Sequence, residues 1–436
     1  MIRRLSSVAL ALILTVAVAM PVAASRGRAV AHDPLAAASG QIVWWSHNNT
    51  AFVAANKALI RGFEKQYPNV KVVYQYFPYD VFIKKLITAY ASHTQPDVAQ
   101  MFGTWVTPYA KAGQLDPVPP SVMTPAQISK TFWPAALGAY QWQGHYYGLP
   151  HEYNLENGAI LINTTLWQQA GLREYPRTWA QMVADAKKLT RYDSRGNVTR
   201  AGLGTFDPGD DYVFLPLSML LQEGGNYFAK DGVHVNLTSP AMIKAVTAFT
   251  ELYTKDKVAS YALDSNGAAI GQGRIAMAFD GPWVIPVIRA SYPKLKFAYV
   301  QIPSFTSTPP YFAAESGWGE VVSRASKNKE AAWAFVRYLS TQQSDRSWNI
   351  TTATVPAHRD LFDDPQYLAK LPAIKTSFHI LRYGRWIGNL QNRDQFFQIM
   401  DKWVTAIQLH KASVAQAMAS CEREENKMID SYVNNF

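Results

Sequence analysis

Two short segments of the chain carry side chains suited to a ligand that has an apolar face and a rim of hydrogen-bonding groups. The first segment holds Trp45, Ser46, His47 and Asn48 directly after an apolar run, and the second holds Trp105. Tryptophan offers a flat apolar surface, while the serine, histidine and asparagine form directional hydrogen bonds. We interpret both segments as candidate binding loops. The alternatives are that His47 faces solvent and that Trp45 faces the core, since side chains alternate along a strand.

Motifs of enzyme chemistry are missing from the sequence, so no catalytic residue, metal ligand or cofactor is predicted. His151 and Glu152 begin like the zinc motif H-E-x-x-H, but the second histidine does not follow. There is no G-x-S-x-G elbow and no phosphate-binding loop, and the glycines at 202 and 204 lack the third glycine of a dinucleotide fingerprint. A glycoside hydrolase needs only two suitably spaced carboxylates. An exported hydrolase or lyase therefore stays open as an alternative of another class.

The first forty residues have the composition of an export signal. Two arginines precede an apolar run that ends in small residues, and this run is shorter than the roughly 20 residues of a membrane span. We predict a signal peptide over 1–24 and a flexible spacer over 25–40. The single cysteine, Cys421, is far from the cleavage site and is predicted to be buried. The mature protein is thus expected to be soluble, periplasmic or extracellular, and without a lipid anchor.

Charge and aromatic content narrow the class of ligand. The formal net charge is +10, of which four arginines and one aspartate precede Gln41, so the folded part carries +7. Its basic residues are spread along the chain rather than clustered, which argues against nucleic acid as a partner. The chain has 13 tryptophans and 23 tyrosines, more than a core of this size needs. Such a number of amphipathic rings is typical of a surface that stacks against sugars.

Alternating strand and helix patterns predict a parallel sheet in the first part of the chain. Apolar or β-branched runs at Gln41–Trp45, Val70–Tyr76 and Val98–Phe102 are separated by amphipathic helical patterns. In open α/β sheets, ligands bind beyond the carboxyl ends of the strands. The segments Ser46–Thr50 and Phe102–Trp105 occupy those positions, so both candidate loops are expected at one edge of the sheet.

The rest of the chain predicts a second domain, since roughly 400 residues exceed a single core. It begins near Pro150 and contains both strand and helix patterns. The predicted strands are Ala159–Asn163 and Ile275–Phe279, and the predicted helices are Leu166–Ala170, Thr178–Leu189, Pro240–Tyr253, Lys329–Leu339, Arg393–Leu409 and Ser413–Tyr432.

Several motifs, taken in order, resemble the extracellular solute-binding proteins of carbohydrate ABC importers, the maltose-binding-like group. Each motif alone is common, but their order along about Ile42 to Tyr338 is specific. The motifs are Val43–His47, Pro96–Val98, Tyr147–Pro150, Pro176–Trp179, Gly273–Met277, Gly281–Trp283 and Gly317–Gly319.

The resemblance implies a function and a fold. The function is that of an exported component that captures a carbohydrate, an oligosaccharide in particular, and delivers it to a membrane permease. The fold is the α/β two-lobe periplasmic-binding-protein fold of type II, with a mainly parallel sheet flanked by helices in each lobe. Lobe 1 is expected over 41–150 and 282–318, and lobe 2 over 151–281 and 319–436. The protein is expected to be a monomer that closes on its ligand like a hinge.

Further binding candidates lie in or near the crossing segments that the resemblance implies, and each has a simpler structural interpretation. Polar side chains on the first crossing segment are expected either to form hydrogen bonds with ligand hydroxyls or only to pack at the hinge. A tryptophan on the second lies where the resembled family commonly has a stacking ring. A second tryptophan, on the third crossing segment, is flanked by glycines that let the backbone approach a ligand. A separate polar loop either contacts the ligand or forms a solvated turn. In this order, the candidates are Glu152, Tyr153 and Asn154; Trp283; Gly317 and Trp318; and Asp207, Asp211 and Tyr212.

A separate hypothesis concerns the loop-like stretch that contains Tyr383 and Arg385. The stretch distantly resembles that of glycerol-phosphate-binding members, in which an arginine meets the ligand phosphate. Arg382 or Arg385 would then pair with a carboxylate or phosphate through two parallel hydrogen bonds. The alternative is that both are ordinary surface arginines. An anionic sugar or polyol phosphate is therefore the alternative ligand.

Overall fold

The structure, a computed structural model, describes residues 35–155, 158–205, 208–264, 268–306, 309–388 and 390–433. The predicted signal peptide, most of the predicted spacer and the candidate Asp207 lie outside these ranges. Within them, no helix has the length and apolar character to cross a bilayer. The same ranges contain no group of three or more His, Cys, Asp or Glu side chains that could hold a metal ion.

Strands and helices alternate along most of the described chain. The strands are β1 (Gly40–His47), β2 (Val70–Phe77), β3 (Val98–Phe102), β4 (Gln141–Trp142), β5 (His145–Tyr146), β6 (Leu149–Pro150), β7 (Ala159–Asn163), β8 (Arg191–Tyr192), β9 (Val198–Arg200), β10 (Gly204–Thr205), β11 (Met277–Phe279), β12 (Phe297–Gln301), β13 (Phe312–Ala314), β14 (Trp318–Val322) and β15 (Gly384–Trp386). The α-helices are α1 (Thr50–Gln66), α2 (Tyr79–Ala91), α3 (Gly103–Lys111), α4 (Pro125–Thr131), α5 (Pro134–Leu137), α6 (Thr164–Gln169), α7 (Trp179–Leu189), α8 (Pro208–Gln222), α9 (Pro240–Thr254), α10 (Ala268–Gly271), α11 (Val284–Ser291), α12 (Lys329–Leu339), α13 (Gln342–Thr352), α14 (Pro365–Lys370), α15 (Lys375–Ile380), α16 (Arg393–Gln408) and α17 (Val414–Val433). Short 3-10 turns cover Gly138–Tyr140, Arg359–Leu361, Pro372–Ile374 and Leu381–Tyr383.

The first sheet has the strand order β2-β1-β3-β14-β6. Strand β1 runs parallel to β2 and β3, whereas β14 runs antiparallel to β3 and β6. Trp318 pairs with Phe102, so the amino end of β14 lies at the same edge as the carboxyl end of β3. That edge is where ligands bind in sheets of this kind.

The second sheet has the strand order β10-β11-β7-β12. Strand β10 is parallel to β11, but β11 and β12 are both antiparallel to β7. Both sheets are therefore mixed, where the sequence predicts mainly parallel ones. The reason is that β14 runs opposite to the other four strands of the first sheet, and β7 runs opposite to the other three strands of the second. Alternating strand and helix patterns do not reveal these directions.

Strand pairing does not follow the predicted lobe boundaries throughout. β12 lies in the second sheet, although 282–318 is expected in lobe 1. β14 lies in the first sheet, although 319–436 is expected in lobe 2. After α11 the chain returns to pair with β7, and it reaches the first sheet only beyond β13. The late crossing explains both differences.

Two hydrophobic cores cover the two sheets. On the first, α1 buries Phe52, Leu59 and Phe63 at helical spacing, and its N-cap Asn49 accepts hydrogen bonds from two backbone N–H groups. On the second, helices α8, α9, α16 and α17 pack together around an apolar core. Cys421 lies in this core with its Sγ 3.7 Å from Met400 Sδ. The prediction that this thiol is buried is confirmed.

Four segments that the sequence predicts as loops belong wholly or in part to regular elements. In the predicted loop Ser46–Thr50, Ser46 and His47 end β1 and Thr50 begins α1. In the predicted loop Phe102–Trp105, Phe102 ends β3 and the other residues begin α3. Asp211 and Tyr212 lie in α8, whose first turn carries two aspartates that favour a helix N-terminus. Apolar residues continue from there to Leu220 and are buried. Tyr383 ends a 3-10 turn, and Arg385 lies in β15, which pairs in parallel with β13. These loop predictions were wrong because glycine, proline and polar residues at the ends of the elements have the composition of loops.

Candidate functional site

Trp318 lies at the edge of the first sheet where β1 and β3 end and β14 begins. His47 is the last residue of β1, Phe102 is the last of β3, and Trp318 is the first of β14. The imidazole of His47 stacks on the Trp318 indole, with ring centroids 4.3 Å apart and an interplanar angle of 20°. The register of the sheet thus brings these three rings together from distant parts of the sequence.

Three helices add rings around the same indole. Phe52, Tyr79 and Trp105 lie in the first turns of α1, α2 and α3, so each follows directly from a strand that ends at this edge. Edge-to-face contacts join Trp318 to Phe52, Tyr79, Phe102 and Trp105, with centroid distances of 6.4, 6.2, 5.1 and 5.4 Å. Such pairs contribute about 0.5–1.5 kcal/mol each beyond area burial. We call these six residues, including His47, the aromatic cluster.

The backbone on either side of Trp318 holds the indole in place. Glu152 Oε2 accepts a hydrogen bond from the Trp318 N–H at 3.2 Å. Gly317 has φ +90°, and a Cβ at that position would lie 2.6 Å from the backbone oxygen of Glu152. A side chain at 317 is therefore excluded by both conformation and space.

Gly317→Ala is expected to destabilise the fold and displace Trp318. Positive φ alone costs an alanine about 1–2 kcal/mol, and the contact with the Glu152 backbone should add about 1–3 kcal/mol more, because backbone must move. Chemical denaturation measures the loss. Gly171→Ala is the matched control, since Gly171 has φ +73° but open space where a Cβ would be. Equal losses in the two variants would contradict the close approach at Gly317.

A group of charged side chains on α8, on α16 and in the segment between β13 and β14 faces the aromatic cluster. Arg393, the first residue of α16, forms a two-point ion pair with Glu315, with N–O distances of 2.7 and 2.8 Å. Its guanidinium also bonds Asp210 at 3.2 Å and Asp394 at 3.3 Å. The guanidinium carbon lies 5.3 Å from the Phe102 ring centroid. We call these four residues the charged group.

Electrostatics keep Arg393 charged although it is 8% exposed. Burial opposes its charge, but the carboxylates of Asp210 and Glu315 outweigh burial and raise its pKa. Burial likewise raises the pKa of Glu315 to about 7, against the pull of Arg393. Tyr79 completes the contact between the lobes by donating from its hydroxyl to Asp394 at 3.3 Å. The arrangement offers guanidinium donors and carboxylate acceptors beside flat rings.

A line of buried polar side chains runs behind the aromatic cluster. His47 Nδ1 lies 3.2 Å from Gln100 Oε1, and Gln100 Nε2 lies 3.4 Å from His151 Nε2. His151 Nδ1 lies 2.9 Å from Glu320 Oε2. We call these four residues the buried relay. Burial lowers the pKa of His47 to about 4, so this ring is neutral at pH 7.

Residues 46–345 match the family model for bacterial extracellular solute-binding proteins, which is well over half of the chain. The chain belongs to this family. The predicted resemblance to solute-binding proteins of this kind is therefore confirmed.

Two curated relatives are similar in sequence, and one solved structure is similar in fold, all at low identity. A binding protein of Brucella abortus is 24% identical over 288 residues, which cover 64% of this chain and 66%, just under two thirds, of that relative. The maltotriose-binding protein of Pyrococcus abyssi is 22% identical over 332 residues, 75% of this chain and 69% of the relative. The solved structure of the cyclic α-maltosyl-1,6-maltose-binding protein from Arthrobacter globiformis superposes with a TM-score of 0.77 at 19% identity, over 90% of this chain and 100% of that one. The predicted two-lobe α/β fold is confirmed.

Some of the predicted site residues of this solute-binding protein come together in the aromatic cluster or directly behind it. His47, Trp105 and Trp318 are members of the cluster, and Glu152 and Gly317 support the Trp318 backbone. These five form one connected site, drawn from four separate stretches of sequence.

Other candidates from the first segment lie apart from the cluster. Trp45 packs edge-on against Phe77, with centroids 5.3 Å apart. Ser46 faces the opposite side of β1, where its hydroxyl lies 2.6 Å from Tyr74 Oη. Asn48 is exposed in the turn before α1. Alternation along β1 thus separates Ser46 from His47.

The candidates of the crossing segment and of α8 are mostly buried. Tyr153 is 1% exposed and donates from its hydroxyl to the Leu381 carbonyl at 3.4 Å. Asn154 pairs through its backbone with Glu315. Asp211 is buried as well, and Tyr212 donates to Asp264 at 3.0 Å within the second core.

The remaining candidates lie at two other places. Trp283 is half-buried and precedes α11. The guanidinium carbon of Arg385 lies 4.0 Å from the Tyr311 ring centroid, and that of Arg382 lies 4.8 Å from the Tyr383 ring centroid. Both arginines are exposed. They form a stacked cationic patch of their own.

Sequence reasoning missed the charged group, the buried relay beyond His47, and half of the aromatic cluster. Phe52, Tyr79 and Phe102 each follow or end a strand, so the same edge rule that selected Trp105 applied to them as well. For Arg393 and Glu315 the sequence gives no signal, because they are 78 positions apart and meet only in the folded chain.

Proposed function

We propose that this protein captures a carbohydrate between its lobes and delivers it to the membrane permease of an ABC importer. The observation that carries the proposal is the aromatic cluster around Trp318, faced by the charged group around Arg393. A pyranose has an apolar C–H face and a rim of hydroxyls, and it needs flat rings and directional polar groups together. Relatives named for maltotriose and cyclic maltosyl-maltose binding support the same class of ligand.

Ligand entry requires the lobes to separate at the contact between Arg393 and Phe102. The crossing segments suit a hinge, since Pro150 pairs with Gly319 and Asn154 with Glu315 in two adjacent passages of the chain. Opening would expose the Trp318 ring, and closure over a sugar would exclude water from it. We further propose that residues 1–24 direct export and that the mature protein acts as a monomer.

A thermal-unfolding screen of the purified protein tests this function. The panel holds maltotriose, N,N′-diacetylchitobiose, a galacto-oligosaccharide and, as an acyclic control, mannitol. A ligand at about 100 times its Kd adds about 2.7 kcal/mol to the free energy of unfolding, which raises the midpoint measurably. A rise with at least one oligosaccharide and none with mannitol is expected. No rise with any sugar, in this panel or a wider one, would contradict a carbohydrate function.

Two alternative functions are tested with the same protein. The stacked patch of Arg382 and Arg385 favours an anionic ligand, and glycerol 3-phosphate is the probe for it. Calorimetry in which a neutral oligosaccharide binds as well as any anionic sugar would remove this alternative. Incubation with the panel followed by product analysis tests for a hydrolase or lyase, and we expect the sugars to be recovered unchanged.

A further inference from the structure

The buried relay connects the candidate binding surface to a carboxylate inside the first lobe. Gln100 and Glu320 are fully buried, and His151 is 3% exposed. Since buried polar groups take their hydrogen bonds from neighbours rather than from water, the donor or acceptor role of each member constrains the next. The relay therefore has a direction that can be worked out atom by atom.

The donor and acceptor roles can be assigned one after another, beginning at Glu320. Its carboxylate is an acceptor, so His151 donates from Nδ1 at 2.9 Å. Burial opposes a charge on His151, but the carboxylate of Glu320 outweighs burial and raises the pKa of this ring. The Gln100 amide nitrogen, which can only donate, nevertheless faces His151 Nε2 at 3.4 Å. Nε2 therefore accepts in this arrangement, and the ring that it belongs to is neutral. This orientation turns the Gln100 carbonyl oxygen toward His47, where it accepts the Nδ1 proton at 3.2 Å. His47 is left with a lone pair on Nε2.

The second ring nitrogen of His47 is the end of the relay. Among the described residues, only Nδ1 of this ring takes part in a hydrogen bond. The ring lies flat against Trp318 and remains 8% exposed. Nε2 is thus an acceptor at the surface on which we propose that a sugar stacks.

We propose that Glu320, His151 and Gln100 are positioning residues that fix His47 as a hydrogen-bond acceptor, so that the site selects a sugar presenting a free hydroxyl at the Trp318 ring. This inference rests on the carbohydrate function proposed above. A hydroxyl donates its proton to Nε2, whereas a fluorine at the same carbon has no proton to donate. The relay gives the site a polarity that stacking on aromatic rings alone does not.

The tautomer of His47 tests the relay without any sugar. In nitrogen-15 NMR spectra of histidine-labelled protein, the His47 signals are identified by their loss in His47→Phe. We expect Nδ1 to carry the proton and Nε2 to be bare in the wild type. A proton on Nε2 instead would mean that the Gln100 amide has the opposite orientation, and it would overturn the proposal.

Two variants separate the relay from a merely structural role. Glu320→Gln can donate or accept toward His151, so we expect comparable populations of both His47 tautomers. Gln100→Glu accepts only, and we expect it to keep the proton on Nδ1 as in the wild type. Both variants are checked for folding by circular dichroism. A His47 tautomer that stays unchanged in a folded Glu320→Gln protein would overturn the relay.

Fluorinated sugars test the selectivity. The sugar that gives the largest shift in the thermal screen is compared by calorimetry with its monodeoxyfluoro analogues. At one position we expect roughly 5- to 100-fold weaker binding, since a buried acceptor loses its donor, and we expect this penalty to vanish in His47→Phe. Equal binding of all analogues would overturn the selectivity. Absence of any sugar binding beside the expected tautomers would instead contradict the carbohydrate function and leave the relay standing.

Discussion

Trp318→Ala is expected to abolish high-affinity sugar binding by this protein. The indole is the common neighbour of five other rings and the largest flat surface at the edge of the first sheet. Its loss removes the stacking surface and lets water reach the neighbouring polar groups. Aromatic residues at the centre of a binding surface commonly contribute about 2–4 kcal/mol, so Kd should rise roughly 30- to 1,000-fold. Calorimetry with the sugar identified by the thermal screen measures this change.

The substitution also carries a cost in stability that has to be separated from binding. Trp318 is 7% exposed, and removing a buried tryptophan costs about 3–5 kcal/mol. Trp318→Phe keeps a ring and should retain a measurable part of the affinity. Trp142→Ala, on the short β4–β5 hairpin away from the cluster, is the control for loss of a tryptophan elsewhere. Sugar binding by a folded Trp318→Ala protein at wild-type affinity would place the site somewhere else.

Local sequence patterns predicted some of the elements that carry the site, including β3 and α16, but not α3 or β14. Strand β3 and helix α12 have the predicted bounds, and helices such as α9 differ by one residue. Hydrophobic periodicity fixes such elements because each buries one face against a sheet. Helix α8 was among those not predicted, since Pro208 and two aspartates at its start favour a loop when taken alone. Its buried partners, which stabilise it as a helix, lie far away in the sequence.

The edge rule for α/β sheets selected residues that the structure brings together in the candidate site. It selected His47 and Trp105, and the structure puts both next to Trp318. It did not predict which way each side chain points: Ser46 and His47 are neighbours in sequence but bond to opposite sides of the sheet. Side chains alternate between the two faces only within a strand. Ser46 and His47 were predicted to follow β1, but β1 extends two residues beyond its predicted end and includes both.

Contacts between distant segments could not be predicted from the sequence. The buried relay joins residues from four segments, and Gln100, within a buried strand, has no local pattern that marks it as polar and functional. Its role follows only from the register that places β1, β3 and β14 side by side. The same holds for the charged group, whose members lie on α8, on α16 and between β13 and β14.

Arg393→Met is expected to destabilise the protein by about 3–5 kcal/mol, because it leaves Glu315 as a buried carboxylate without its partner. Methionine keeps an apolar stem to pack on Phe397, whose ring centroid lies 3.9 Å from the guanidinium carbon. The double variant Arg393→Met/Glu315→Gln should recover a large part of this loss, since the two carboxylates that then lack the arginine, Asp210 and Asp394, are partly exposed. Chemical denaturation of the two variants gives the difference directly.

The pH dependence of the loss of stability in Arg393→Met shows whether the unpaired charge of Glu315 causes it. Without Arg393, burial should raise the pKa of Glu315 further above its unfolded value, and burial already raises that pKa to about 7 in the wild type. A raised carboxyl pKa makes no difference below the unfolded pKa of about 4.3, where both states are protonated, and it destabilises increasingly as pH rises. The loss in Arg393→Met should therefore be larger at pH 8 than at pH 5. Arg195→Met, which removes an 84% exposed arginine beside Asp193, should change little at either pH. A loss in Arg393→Met that is independent of pH and unrelieved in the double variant would show that packing of the arginine, rather than its charge, stabilises the contact between the lobes.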